Sequence, residues 1–294
     1  MATRLYRNDG KQNVDCNTIK LKIDCKNRID SDPETKDWLE LVSLFNHNSS
    51  DIVVYKALLD KHKYIVAKIG KFNLTPEYDI SKKLEILKLP TFIHMSCIFS
   101  CLDDFSKLKK SAKTVCSKEG KPVSVILMPY MVDGRIDEWT WKRANFDLMK
   151  NIIKHVFLTA FCAKSALGFV HRDLHLGNIL LKKTQRKDIS YGEYGTLDAR
   201  GIIPVIMDFD KSAFVENYDA LLYKDLSHFI GLMGNYCNVK FNANIIQDYL
   251  DKTLEAAPVS PVIYRTLSKH IDNLEIRKVD SEMPQLPNFL LQRN

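Results

Sequence analysis

The chain has 294 residues, 45% of them hydrophobic and 27% charged, a balance that suits a folded globular protein and excludes a chain disordered throughout. Its 43 Lys and Arg against 36 Asp and Glu give +7, an excess that suits an anionic ligand such as a nucleotide but gives no reason to expect nucleic-acid binding. No uncharged apolar run reaches about 18 residues, so no bilayer-spanning helix is expected, and the N-terminal MATRLYRNDGKQ lacks the apolar core of a secretory signal.

In chain order, residues 1–31 are polar and weakly patterned, as in a peripheral arm. Asp32-Pro33-Glu34 has the form of a helix start, with a capping Asp and Pro in the first turn. Trp38–Phe45 fits a continuation of that helix or a first strand equally well. Asp51–Leu59 and Lys63–Gly70 are β-rich and separated by Asp60-Lys61-His62, which predicts an antiparallel hairpin. Residues 76–89 place Ile80, Leu84 and Leu87 on one helical face. Strands are predicted at Phe92–Ser100 and Val123–Tyr130, on either side of a loop carrying Lys107, Lys109, Lys110, Lys113, Lys118 and Lys121, which is expected to be solvated. From Phe146 to Leu167, apolar residues recur at helical spacing, predicting a long buried helix. Strands dominate before residues 129–134 and helices after them, which predicts an α+β protein with two unequal lobes.

The seven cysteines, Cys16, Cys25, Cys97, Cys101, Cys116, Cys162 and Cys237, form an odd, scattered set that reads as reduced and intracellular. His94, Cys97, Cys101 and Cys116 do not have a recognised metal-ligand spacing, and no metal is assigned to them.

The segment with the most chemistry follows the long helix: His171-Arg172-Asp173-Leu174-His175-Leu176-Gly177-Asn178. It resembles the catalytic loop of protein kinases, H-R-D-L-x-x-x-N, at every fixed position. Thirty residues beyond Asn178, Asp208-Phe209-Asp210 resembles the metal-binding D-F-G, with Asp in place of Gly. Upstream, Ile65-Val66-Ala67-Lys68 resembles the strand that carries the nucleotide-anchoring Lys. The resemblance covers roughly residues 45–235. It implies a two-lobed kinase fold, with an arm over 1–35, an N-lobe over 36–128, a hinge at 129–134 and a C-lobe over 135–294.

The resemblance also implies roles, and the chemistry explains the residue types. Phosphoryl transfer asks a protein for positioning and charge neutralisation more than for covalent chemistry. Asp173 would orient the substrate hydroxyl and accept its proton, with Arg172 beside it. Asn178 and Asp208 would hold Mg²⁺, and Lys68 would pair with the α- and β-phosphates of ATP. The carboxylate partner of Lys68 is Glu77 or Glu85, nine and 17 residues further on. The pattern Glu77-Tyr78-Asp79-Ile80 with Leu84, Leu87, Leu89 and Pro90 resembles the corresponding helix in divergent kinases of large DNA viruses, which favours Glu77.

Departures from the pattern matter as well. The glycines expected ahead of Val53-Val54-Tyr55-Lys56-Ala57 fall on His47, Ser49 and Ile52, so Ser49, Ser50 and neighbouring Asn side chains would have to meet the phosphates. Met128, Pro129 and Met131 resemble the hinge that receives adenine; Pro129 has no N–H to offer, so its carbonyl and the Met131 backbone would serve. Tyr223-Lys224-Asp225 resembles the helix whose buried Asp props the catalytic loop. Asp208 and Asp225 are only 17 residues apart and no A-P-E motif occurs, so the activation segment is short and a constitutively competent enzyme is expected, with Arg172 met by a carboxylate or a carbonyl. An insertion at 182–204 lies upstream. Position 175 is His where Ser/Thr kinases usually have Lys, as in haspin-like loops. The reading is a Ser/Thr protein kinase, expected to be a monomer that acts on a protein substrate in the cytoplasm, or in a virion if viral. The alternatives are a small-molecule kinase of the aminoglycoside or choline type and a non-catalytic pseudokinase scaffold.

Overall fold

The computed structural model describes residues 24–46, 50–216, 219–236, 241–253 and 257–276. It opens with a short helix α1 (Cys25–Ser31), capped by Asp24, whose side chain accepts from Asn27 N–H. The helix expected to start at Asp32 therefore lies one element earlier. Asp32 closes it, since its N–H is spent on the Arg28 carbonyl at 2.8 Å.

A five-stranded antiparallel sheet follows, built from β1 (Leu39–Asn46), β2 (Ile52–Leu59), β3 (Lys63–Gly70), β4 (Cys97–Asp103) and β5 (Lys121–Pro129) in the order β1-β2-β3-β5-β4. The ambiguous stretch Trp38–Phe45 is thus strand. Trp38 meets Phe99 edge-on at 5.7 Å, and burial in a sheet core suits the β-branched and aromatic residues of this segment. In β2 the side chains alternate strictly: Val53, Tyr55, Ala57 and Leu59 are buried in one face, while Val54 and Lys56 occupy the other. Helix α2 (Thr75–Leu84) packs beside the sheet and ends in a single 3₁₀ turn at Glu85–Leu87, shorter than the periodicity alone suggested. Helix α3 (Phe105–Lys110) carries the start of the Lys-rich loop.

The strand expected at Phe92–Ser100 begins only at Cys97. Residues before it turn away to the other lobe, where Ile93 N–H donates to the Ile206 carbonyl (2.9 Å) and Ile206 N–H to that of Thr91 (2.8 Å). The cysteines also depart from expectation. Cys25 is joined to Cys97 and Cys101 to Cys116, so four of the seven are not free thiols. The sheet brings each pair together, with Cα atoms 6.1 and 5.5 Å apart, inside the range a disulfide spans. Scattered positions in sequence gave no hint of that register.

The second lobe is organised on α4 (Phe146–Leu167), whose bounds match the periodic run. Met149, Ile152, Ile153, Val156, Phe157 and Phe161 are fully buried, and each such side chain contributes about 1.5–3 kcal/mol. Gly168 ends the helix in a left-handed conformation (φ 73°), where a Cβ would sit 3.0 Å from the Val215 carbonyl oxygen. Beyond it come β6 (Phe169–Val170), β7 (Ile179–Lys183), β8 (Asp188–Ser190), β9 (Thr196–Asp198), β10 (Ile202–Ile206), β11 (Ala213–Phe214), α5 (Ala220–Tyr236), α6 (Asn244–Asp248) and α7 (Pro261–Asp272). The pairs β7–β10, β6–β11 and β8–β9 are antiparallel. A sheet lobe over a helical lobe is the two-lobed α+β kinase fold.

Candidate active site

Lys68 sits on the cleft side of β3, directly across from Val54 in β2 and Ile126 in β5. Its ammonium is almost fully buried and lies 2.9 and 2.7 Å from the two carboxylate oxygens of Glu77. It also touches Asp208 Oδ1 at 2.6 Å. Glu77, in the first turn of α2, is the partner; Glu85 is turned to Lys82 (2.8 Å) instead. Burial alone would draw the Lys68 ammonium down, but the charges of Glu77 and Asp208 outweigh it and hold the group up and cationic. Burial likewise opposes ionisation of Asp208, yet the Lys68 charge and hydrogen bond win and keep its carboxyl below the ordinary range.

The loop after β6 places the second group of residues. Asp225 of α5 is buried and accepts from Arg172 N–H at 2.7 Å. Burial raises its carboxyl to about 6, against backbone hydrogen bonds from Arg172, His171 and Leu174 that favour the charged form. His171 Nε2 lies 2.9 Å from the Met207 carbonyl and donates to it; burial lowers its pKa and keeps the ring neutral. Arg172 and Asp208 both adopt left-handed backbone, at φ 65° and 66°. For non-glycine residues that costs about 1–2 kcal/mol each. It persists only where neighbours over-determine it, as the Asp225 and Lys68 bonds do here.

Asp173 is part-exposed at the cleft floor. Asn178 is buried, and its Nδ2 donates to the Asp173 carbonyl oxygen at 3.0 Å, which leaves its Oδ1 free of that bond. The Arg172 guanidinium is exposed, and among the described residues no carboxylate or carbonyl meets it; only the backbone N–H is used, contrary to the sequence expectation. His175 is occupied locally, its Nδ1 accepting from Gly177 N–H at 3.1 Å. Lys211 was not singled out by sequence, yet its ammonium lies 2.9 Å from Asp173 Oδ2. The only sequence signal was a Lys directly after Asp208-Phe209-Asp210, in a chain without one at 175.

Between the lobes, β3 pairs with β5 so that Val66 lies across from Met128. Val66, Met131, Leu180 and Met207 are part-buried against the core of the helical lobe. Pro129 ends β5 opposite Ile65, and Gly134 C=O accepts from Leu181 N–H (2.9 Å), tying the connection to β7. Ser49 lies outside the described residues. Ser50 donates to Asp51 Oδ2 at 2.5 Å.

After Asp208 the chain returns at once. Phe209 is buried against Phe92, Phe169 and His171, Ser212 Oγ donates to the His171 carbonyl (3.1 Å), and β11 pairs with β6. Lys164 of α4 then holds the Val215 carbonyl (2.6 Å) and Asp219 (3.2 Å). The insertion at 182–204 is a hairpin packed on the back of α4. Tyr191 is fully buried with its hydroxyl 2.7 Å from His155 Nδ1, and Asn151 Nδ2 donates to the Asp198 carbonyl at 2.8 Å. It braces the helix that carries the loop.

The family described as "Haspin like kinase domain" matches residues 16–235. The chain belongs to this family. Serine/threonine-protein kinase haspin of Mus musculus is 24% identical over 176 residues, covering 53% of this chain and 23% of the mouse protein. The Bos taurus protein of the same name is 30% identical over 95 residues, covering 31% of this chain and 12% of its own length. The chain therefore matches less than a quarter of the length of these relatives. Among solved structures, the autoinhibited serine kinase domain of titin aligns at TM-score 0.46 and 10% identity, over 81% of this chain and 74% of that one. In this haspin-like kinase domain, Lys68, Glu77 and Asp208 meet through ion pairs and Asn178 is bonded to Asp173 in the loop after β6.

Proposed function

We propose that this haspin-like domain transfers the γ-phosphoryl group of ATP to Ser or Thr hydroxyls of protein substrates with Mg²⁺. One observation carries the reading: buried Lys68 and Glu77 meet the part-exposed Asp208 in an ion cluster at the same cleft to which the loop presents Asp173 and Asn178. The donor set suits a hard cation. The Asp208 carboxylate is 38% exposed, and the Asn178 amide oxygen is not used by the Asp173 bond, so two oxygens are available. Mg²⁺ takes one or two protein oxygens and completes its shell with phosphate and water. When bound there it would neutralise charge on the phosphates.

In this reading the protein's residues orient and neutralise. Val54, Val66, Met128 and Leu180 enclose the adenine, with the Pro129 carbonyl and the Met131 backbone at its polar edge. Lys68, held cationic by Glu77, takes the α- and β-phosphates. Asp173 orients the substrate hydroxyl and receives its proton as the oxygen attacks. No phosphorylation is needed to order the segment after Asp208, because β11, Ser212 and Lys164 already fix it; the enzyme is constitutively competent.

Radiolabel from γ-labelled ATP·Mg²⁺ is expected on serine or threonine of basic proteins and not on small alcohols or amines. Label confined to small molecules would replace the protein-substrate reading. Asp173→Asn is expected to lower transfer about 10²–10⁴-fold while nucleotide still binds. Transfer near the parent rate would remove Asp173 from its role. Phosphatase treatment of the protein should leave its rate unchanged.

A further inference from the structure

Position 175, two residues after Asp173, is where Ser/Thr kinases usually carry a lysine, and here it is a histidine. The structure shows what that histidine does. Its Nδ1 accepts from the Gly177 N–H at 3.1 Å, caps the 3₁₀ turn Leu176–Asn178 and shapes the loop. In that bond Nδ1 is the acceptor, so it has no proton to offer a phosphate. Its Nε2 stands 3.8 Å from Asp173 Oδ2, beyond hydrogen-bond distance. Histidine at 175 therefore builds the turn and makes no hydrogen bond to the Asp173 carboxylate.

The charge comes from elsewhere. Lys211 reaches across from the turn between β10 and β11 and places its ammonium 2.9 Å from the same Asp173 Oδ2. Its side chain is 58% exposed, and among the described residues no other hydrogen bond or ion pair holds the ammonium. We propose that Lys211 is a further catalytic residue, the cation that binds the γ-phosphoryl group during transfer in place of the lysine missing at 175. The inference rests on the kinase reading above.

The step balances as follows. The substrate hydroxyl oxygen forms a bond to the γ-phosphorus. The bond from that phosphorus to the β–γ bridging oxygen breaks, and its electron pair leaves with ADP. The hydroxyl proton passes to the Asp173 carboxylate. Lys211 neither gains nor loses a proton; it sits within reach of Asp173 and offsets negative charge on the equatorial oxygens where it is concentrated. An exposed, four-carbon stem lets the ammonium move between the carboxylate and a phosphoryl oxygen without disturbing the fold.

Two measurements on the full chain test this. In the first, Lys211→Met is expected to lower kcat about 10²-fold, the scale of losing one preorganised electrostatic contact. Lys211→Arg keeps the charge and should retain most of the rate, and His175→Lys added to Lys211→Met should restore at least tenfold of the loss. A Lys211→Met rate equal to the parent, or equal losses in the Met and Arg variants, overturns the proposal. The second measurement needs no turnover. Binding of a non-hydrolysable ATP analogue and of ADP, each with Mg²⁺, is compared by calorimetry. Lys211→Met should weaken the analogue about tenfold and leave ADP unchanged; an equal effect on both, or none, overturns it. If the parent binds the analogue but labels no protein, the protein-kinase reading fails while the analogue-to-ADP comparison still decides the role of Lys211. A parent that binds neither nucleotide ends both.

Discussion

Two lysines in this cleft each touch an aspartate, Lys68 on Asp208 at 2.6 Å and Lys211 on Asp173 at 2.9 Å. Distance alone would rank them as equals. Their surroundings do not: the Lys68 side chain is 7% exposed and the Lys211 side chain 58%. Lys68 has a second carboxylate, Glu77, itself 3% exposed, and these two charged groups share one desolvated site. Among the described residues Lys211 has one ion-pair partner, and its side chain is largely exposed. In the low-dielectric site, removing a partner strands charge that cannot be hydrated. At the surface, solvent replaces the lost contact. The same bond is thus a fixed part of the fold in one place and a movable contact in the other.

The sharpest way to break this comparison is to delete each lysine. Lys68→Met leaves the Glu77 carboxylate buried without a counter-charge and should cost about 3–5 kcal/mol in a denaturant titration. Adding Glu77→Gln to that variant should recover part of the loss, because the stranded charge is then gone. If Lys68→Met alone were as stable as the parent, the buried cluster would not be holding α2 against the sheet.

Titration sharpens the contrast between buried and exposed groups further. Asp225 is raised by burial from 3.8 to about 6, so its contribution to stability is complete below pH 3.8 and is lost as pH rises through 6. His155 is lowered by burial from 6.5 to about 4, so its contribution is complete above pH 6.5 and is lost as pH falls through 4. Between those limits the two slopes oppose each other. Asp225→Asn should therefore make stability climb more steeply from pH 4 to 6.5 than it does in the parent, and His155→Gln should make it fall. Measured by denaturation at several pH values, parallel curves for all three proteins would mean that neither group is shifted as its burial implies.

What the sequence made legible follows from how local each signal was. The helix 146–167 and the strand 63–70 matched to the residue, since periodicity and alternation are written in neighbouring positions. The loop 171–178 was legible as a motif for the same reason, as Asp173 and Asn178 lie five residues apart and are joined through one bond. The choice between Glu77 and Glu85 could not be made by spacing: both lie on the same helix, and only its placement beside β3 separates them. Lys211 was missed because the contact joins residues 38 apart, and nothing in the intervening chain encodes it. The insertion at 182–204 carries Lys182, Lys183, Arg186 and Lys187, yet its Ile189, Tyr191 and Ala199 are buried. Their spacing fits neither a strand nor a helix, because they come from a hairpin and its turn. The two disulfides depend on register between α1, β4 and the loop after α3, which composition does not reveal.

The smallest expected effect is also the one on which the comparison depends most. Lys211→Ala should change stability by only about 0–1 kcal/mol, as exposed ion pairs do. A double-mutant cycle with Asp173→Ala should give a coupling of the same size, and raising the salt toward 1 M, where the screening length is only about 3 Å, should abolish it. The same salt should leave the Lys68–Glu77 coupling largely intact, because solvent ions do not enter that site. The logic is that a lysine bound weakly to Asp173 is free to leave it for a phosphoryl oxygen at little cost. A lysine bound strongly would instead hold the carboxylate away from the substrate hydroxyl. A coupling of about 2 kcal/mol or more, or one insensitive to salt, would show that Lys211 clamps the loop as Lys68 clamps α2, and the distinction between the two lysines would collapse.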